Sequence, residues 1–355
     1  MNNSKHWSIC CLALALVLLI LFGGATAVID PYFHYHEPLE QLEYPLNNQR
    51  YQNDGIAKNF PYTAIITGTS MTENYKTSEF DQLFGVNSVK LSYSGGTFQE
   101  LTATVETAIR ANPELKLVLF CIDEWFIFNG RDMILADGEY PTYLYDTNPF
   151  NDVKYLLNKS TFCTDTIGVL EYTRQGGTTT SFDDFGSWTH IPIGRDHAIA
   201  QYARKERVTD EKILTEELTA RIADSLNVSI LALARENPDI TFLCYFPPYS
   251  ILNWDAHDRA GTLERQVEAF RTATELMLPA ENIQLFSFCT DFDTITNLDN
   301  YRDSVHHSQQ INTLLLQRMA KQEYLLTEET YRQHWQQVMD FYSTYDYESI
   351  FEETA

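Results

Sequence analysis

Ala64-Ile65-Ile66-Thr67-Gly68-Thr69-Ser70 decides the fold: a short apolar run ends in Gly-Thr-Ser and leads directly into a helix-like segment. Continuous apolar runs of this length suit strands buried on both faces of a parallel sheet. Further runs carry the same signal. Leu115–Phe120 follows Asn112-Pro113, Ile240–Phe246 follows Asn237-Pro238, and Ile283–Phe288 follows Pro279-Ala280-Glu281-Asn282. Proline disfavours helical geometry in the residue before it, so each junction reads as a helix stop and then a strand. Strands are expected near 62–67, 88–92, 115–122, 240–246 and 283–288.

The intervening segments have helical periodicity. Thr97-Phe98-Gln99-Glu100 is a capping box, followed by Leu101, Val105, Ala108 and Ile109 at helical spacing. Leu214, Leu218, Ile222, Leu226, Ile230 and Leu233 predict one long helix, and Val267, Phe270, Ala273 and Met277 another. Strands alternating with helices predict a three-layer α/β/α sandwich around a mostly parallel five-stranded sheet. Residues 129–208 break the rhythm, being rich in Tyr, Thr, Gly and Asp, and read as an insertion near the substrate-binding side. A helix is expected around Tyr331–Tyr342, with a loose acidic end beyond it. The resulting division is a membrane segment over 1–29, a main domain over 30–326 and a C-terminal helix and tail over 327–355.

No charged residue occurs from Trp7 to Ile29. As a helix this stretch is roughly 34 Å long, enough to cross a bilayer. Lys5 before it and Asp30 after it place the N-terminus inside and the remainder outside. The favoured reading is an uncleaved anchor. A cleaved signal peptide is the alternative, because Ala25-Thr26-Ala27 is a cleavage-site pattern. Either way the rest of the chain is exported.

A hydrophobic content of 44% supports a sizeable core, and a net charge of -24 argues against binding nucleic acid through its phosphates. Among the six cysteines no C-x-x-C or Cys/His spacing marks a metal site, and no Gly-rich phosphate loop occurs, so no cofactor is expected. Cys121, Cys244 and Cys289 fall in apolar runs and read as buried free thiols, with one disulfide bridge as the alternative.

The chemistry rests on Ser70 and on Asp303-Ser304-Val305-His306 far downstream. A serine hydroxyl is a poor nucleophile until an imidazole takes its proton, and the imidazole needs a carboxylate to fix its tautomer. Two bland readings stand beside this. Ser70-Met71-Thr72-Glu73 is itself a capping box, and His307 competes with His306 for the same role.

Together these residues resemble the SGNH, or GDSL-like, hydrolase superfamily. Gly68-Thr69-Ser70 is similar to its first block, with Thr in place of Asp; Asp303 and His306 match its last block. Ser94-Gly95-Gly96-Thr97 resembles the second block. The resemblance spans about Thr63 to His306 and implies a flavodoxin-like fold. It also implies a Ser70–His306–Asp303 triad and an oxyanion hole from the N–H groups of Ser70 and Gly95. The third block departs: Cys121-Ile122-Asp123-Glu124-Trp125 has no asparagine where the family places an oxyanion donor, and Asn129 lies too far along. Losing one such donor costs about 10²–10³ in rate.

Gly-Thr-Ser-Met and Tyr-Ser-Gly-Gly-Thr resemble segments of membrane-anchored branches in Gram-positive bacteria. That likeness implies action on acyl esters of cell-envelope polysaccharide or teichoic acid, beside a multi-pass membrane O-acyltransferase in some branches. Asp123, Tyr249 and Trp254 are candidate substrate-lining residues. The competing reading is a non-catalytic accessory protein that binds glycan or such an acyltransferase.

Overall fold

A computed structural model describes residues 2–128 and 140–352. The chain opens with helix α1 (Asn2–Ile29), then α2 (Gln49–Asn59), β1 (Ala64–Gly68), α3 (Thr77–Phe84), β2 (Ser88–Ser92), α4 (Phe98–Ala111) and β3 (Leu117–Cys121). Short helices follow: α5 (Glu124–Ile127), α6 (Val153–Leu156), α7 (Ile167–Arg174) and α8 (Arg195–Ala200). The second half runs α9 (Glu216–Asn227), α10 (Ile230–Glu236), β4 (Thr241–Phe246), α11 (Ile251–Arg259), α12 (Leu263–Met277) and β5 (Ile283–Ser287). It ends with α13 (Phe292–Thr296), α14 (Gln309–Ala320), α15 (Tyr331–Thr344) and α16 (Ser349–Glu352).

One five-stranded sheet has the order β2-β1-β3-β4-β5, and every neighbouring pair is parallel. Every residue of β1, β2 and β3 is buried, so both faces are covered. α3 packs on α14, α2 on α4, and α12 on both α9 and α15. Ile65, Ile66, Val118, Leu119, Phe242 and Leu243 fill the centre. Each such side chain contributes about 1.5–3 kcal/mol on burial. The strand order reverses between β1 and β3, which opens a crevice beyond their carboxyl ends.

Two expectations are corrected. The long helix over Leu214–Leu233 is two helices: Ser229 (φ -114, ψ -110) breaks it, and its hydroxyl donates to Ser225 O and Leu226 O. Apolar spacing runs through this break because both helices face the same core. Up to Glu352, the last described residue, the C-terminal segment is packed rather than loose, since Tyr347 and Ile350 are buried and Glu348 pairs with Arg204. Trp335 of α15 packs against Phe246 and Phe270 and donates to Thr274 Oγ1 at 3.0 Å. Of the expected insertion, residues 129–139 lie outside the described residues. No disulfide joins the six cysteines, and Cys121, Cys244 and Cys289 are buried thiols.

α1 is long and apolar enough to cross a membrane. Its last two turns do not stand free. Phe22 stacks on Phe162, Gly23 lies against Leu157, and Ile29 O accepts from the Tyr44 hydroxyl at 2.7 Å.

Because α15 is part of the core, Trp335→Ala should destabilise the full-length protein by about 3–5 kcal/mol. The midpoint of urea unfolding in detergent measures this; an unchanged midpoint would show α15 to be an appendage.

Candidate active site

Gly68 ends β1 and must be glycine, because a Cβ there would stand 2.5 Å from Thr72 Cγ2 and 2.9 Å from Cys121 Cβ. The chain then turns through Thr69 into a single 3-10 turn, Ser70–Thr72. Thr69, not Ser70, is its cap, accepting from Met71 N–H. The Ser70 hydroxyl is thereby left for a distant partner, and it meets His306 Nε2 at 2.8 Å.

His306 lies on the loop between α13 and α14, which is tied down on both sides. Ser304 O accepts from Ser250 N–H and its hydroxyl, Tyr301 bridges His307, and the Tyr301 hydroxyl donates to Pro248 O. Asp303 folds the turn on itself by accepting from the N–H groups of Val305 and His306 at 2.9 and 2.8 Å. Its two carboxylate oxygens lie 2.9 and 2.8 Å from His306 Nδ1. A carboxylate only accepts, so Nδ1 carries the proton and Nε2 is left to accept from Ser70. Burial alone would raise the Asp303 pKa. The hydrogen bonds from His306 and Val305 outweigh it and hold the carboxyl well below the usual range.

An open cavity of about 570 Å3 lies over this line, walled by Ser70, Glu73, Ser94, Trp188, Arg302 and His306. It adjoins a second of about 720 Å3 that shares Asn47, Glu73 and Gly186 with it. The insertion reaches the site here through Asp184–His190. Trp188, which the sequence reading missed, stands edge-on to His306 with ring centroids 5.4 Å apart and donates from Nε1 to Ser70 O at 3.4 Å. The Arg302 guanidinium lies over the Trp188 ring, 5.0 Å from its centroid. The signal was Gly186-Ser187-Trp188-Thr189-His190, an aromatic beside a histidine in a long loop, but nothing local assigned it a partner.

Glu73 is also more than the far end of a capping box. It is buried in the cavity wall, accepts from Gln49 Nε2 at 2.8 Å, and burial raises its pKa. Below it, Lys90 Nζ donates to the carbonyls of Glu73, Tyr75 and Asp183, which ties the wall formed by residues 73–75 to the insertion. Burial pushes the Lys90 pKa down to about 8.

The three expected lining residues are elsewhere. Asp123 accepts from the Thr69 hydroxyl at 2.6 Å and the Tyr249 hydroxyl at 2.5 Å, and so braces the turn that carries Ser70. Tyr249 is buried in this network, and Trp254 is buried in a stack on Tyr342 at 3.9 Å. Their aromatic surface faces the core because α11 turns back onto α12 and α15. His307 is a core residue too, with burial lowering its pKa to about 4. Gly95 is exposed in a left-handed conformation (φ 59) within the turn closed by Gly96 N–H and Tyr93 O. Among the described residues neither the Ser70 nor the Gly95 N–H has an acceptor. Among the described residues no cluster of His, Cys, Asp and Glu has the arrangement of a metal site.

Fold and site together define a parallel α/β protein with a Ser–His–Asp line at the carboxyl edge of its sheet. No family model matches the chain, and no curated protein does. A solved structure from Streptococcus pneumonia, provisionally described as a platelet activating factor, aligns over 77% of this chain and 89% of that one. At 11% identity and a TM-score of 0.38, that likeness carries no argument about family or activity.

The lowered Asp303 pKa has a consequence for stability. Its contribution is present above the unfolded-state value of about 3.9 and is lost as pH falls through the lower native value. Wild type should therefore exceed Asp303→Asn in stability at neutral pH, with the gap closing in strong acid. Urea midpoints measured from pH 7 to pH 2 check this; a gap independent of pH would contradict it.

Proposed function

We propose that the chain is a membrane-anchored, extracytoplasmic serine esterase or O-acyltransferase of the SGNH type. The observation that carries this reading is the unbroken line from Ser70 Oγ to His306 Nε2 and from His306 Nδ1 to Asp303. In the reaction, Ser70 Oγ attacks an ester carbonyl while His306 Nε2 takes its proton. The oxyanion is held by the N–H groups of Ser70 and Gly95, both without an acceptor in the described structure. Collapse expels the alcohol, which receives the proton from His306 and leaves an acyl-Ser70. Water or an acceptor hydroxyl then attacks, with His306 again as base, and Ser70 is released. Asp303 keeps Nδ1–H oriented and stabilises the imidazolium.

The open cavity sets Asn47, Glu73, Ser94, Asp184 and Arg302 around Trp188, hydrogen-bonding groups beside an aromatic face that suit a carbohydrate or polyol. With an exported domain, that favours acyl esters of cell-envelope polysaccharide or teichoic acid. A multi-pass membrane O-acyltransferase is the partner such a setting would supply.

One observation favours the alternative, a non-catalytic accessory protein binding glycan or that acyltransferase. Asp123 is engaged by Thr69 and Tyr249 and offers no third oxyanion donor. The test is labelling of the full-length, detergent-solubilised protein with a fluorophosphonate, beside acetyl-ester hydrolysis. Wild type should label and turn over. Ser70→Ala should abolish labelling, and Ser70→Ala and His306→Ala should each lower kcat by at least about 10³-fold. Labelling that survives Ser70→Ala overturns the nucleophile. An unlabelled but folded wild type leaves the accessory reading.

A further inference from the structure

We propose that α6, the π-helical turn Thr161–Thr166 and α7 form a second membrane-contacting element, seated in the interfacial layer of the lipid bilayer beside α1. This rests on the reading of α1 as a spanning helix, and it adds that the exported domain itself enters the membrane surface.

The argument starts from depth. Phe22 stacks face to face on Phe162 with centroids 3.9 Å apart. A Cβ on Gly23 would lie 3.2 Å from Leu157 Cδ2, and the Thr166 hydroxyl donates to Thr26 Oγ1 at 3.5 Å. These contacts fall inside the uncharged run Trp7–Ile29, not beyond its end. Were the membrane boundary drawn at Phe22, the part of the run left for the bilayer would be only about 24 Å, short of the ~30 Å hydrocarbon core. Phe22, and the ring stacked on it, therefore lie at or below the boundary of the apolar layer.

The surface of this unit fits that depth. Phe150 is 88% exposed, Val153 51%, Leu170 44% and Leu157 38%. Tyr35, 39% exposed, lies beside this unit with its hydroxyl on Asp152; outside it and α1, the exposed large apolar residues among those described are Leu83, Val208, Ile213 and Val228. A cluster continuous with an apolar helix end has one natural occupant, the acyl and headgroup boundary, where interfacial helices bury their apolar faces by about 5–10 Å. Lys154 and Lys159 are exposed beside it and suit lipid phosphates, in a chain whose net charge of -24 otherwise repels an anionic surface. The nearby carboxylates of Asp152 and Asp165 are held by the hydroxyls of Tyr35 and Tyr32.

The seat is rigid. Asp30, just past α1, accepts from the N–H groups of His34, Tyr35 and His36 and from the Tyr155 hydroxyl. The helix end and the insertion are thus one unit, so the cleft over Ser70 is held at a fixed attitude to the bilayer instead of swinging on a tether.

The experiment uses full-length protein in vesicles of phosphatidylcholine and phosphatidylglycerol containing a phospholipid with a photoreactive diazirine near its glycerol backbone, followed by peptide mass spectrometry. Peptides covering 150–170 should carry at least about tenfold more adduct than the Val208–Ile213 peptide, and Phe150→Glu with Val153→Glu should reduce that several-fold while α1 stays labelled. Adducts confined to α1 would overturn the second element and leave the anchor standing. Adducts absent from α1 as well would overturn both.

Discussion

At Gly68 the backbone of β1 passes so close to Thr72 and Cys121 that no side chain fits between them. This close approach governs the carboxyl edge of the sheet. It draws the turn after β1 against the end of β3, within reach of Asp123, whose carboxylate grips the Thr69 hydroxyl. With Thr69 serving as cap and as brace, the Ser70 hydroxyl is relieved of local hydrogen bonding. A serine that caps its own helix would turn its hydroxyl back to the backbone; here the hydroxyl points across the crevice to His306. The geometry of the Ser–His–Asp line therefore begins one strand away from it.

The other half of the site is held by support rather than by contact with ligand. The loop bearing Asp303 and His306 has little regular structure, and loops place side chains poorly unless they are pinned. The segment after β4 supplies the pins through Pro248 O and the Ser250 hydroxyl. That is why an aromatic-rich stretch at a strand end proved to be scaffold: Tyr249 completes the Asp123 network, and Trp254 anchors α11 on Tyr342. The cavity wall comes instead from the insertion, through Trp188, and from Glu73, which Lys90 and Gln49 hold in place.

Much of the fold was legible because its signals are local. Buried parallel strands are short uninterrupted apolar runs, and each Asn-Pro junction marked its helix end within a residue or two. The Thr97 capping box formed as written, with both reciprocal bonds present. Ser70, Asp303 and His306 were legible because a Ser–His–Asp line needs three residue types, and the chain offers the serine at a strand end and the other two close together in one loop. What failed were inferences about direction. Periodicity could not see Ser229 breaking the helix pair α9–α10, since both halves face one core. Nor could it tell whether Trp254 looks outward or inward, because an aromatic serves a binding wall and a core equally well.

The sequence by itself determined the strands, their parallel arrangement between helices, the apolar N-terminal helix and the residue types of the Ser–His–Asp line. These follow from hydrophobic periodicity and turn chemistry acting over a few residues. Only the tertiary structure decided that Ser70 and His306, 236 residues apart, meet at hydrogen-bonding distance, and that Thr69 rather than Ser70 caps the turn. It alone decided that Trp188 faces the site and Tyr249 does not, and that α1 is welded to the domain through Phe22, Ile29 and Asp30. The physical reason is common to all of them: which way a side chain points is fixed by what the rest of the chain packs against it, and that is not written within any one segment.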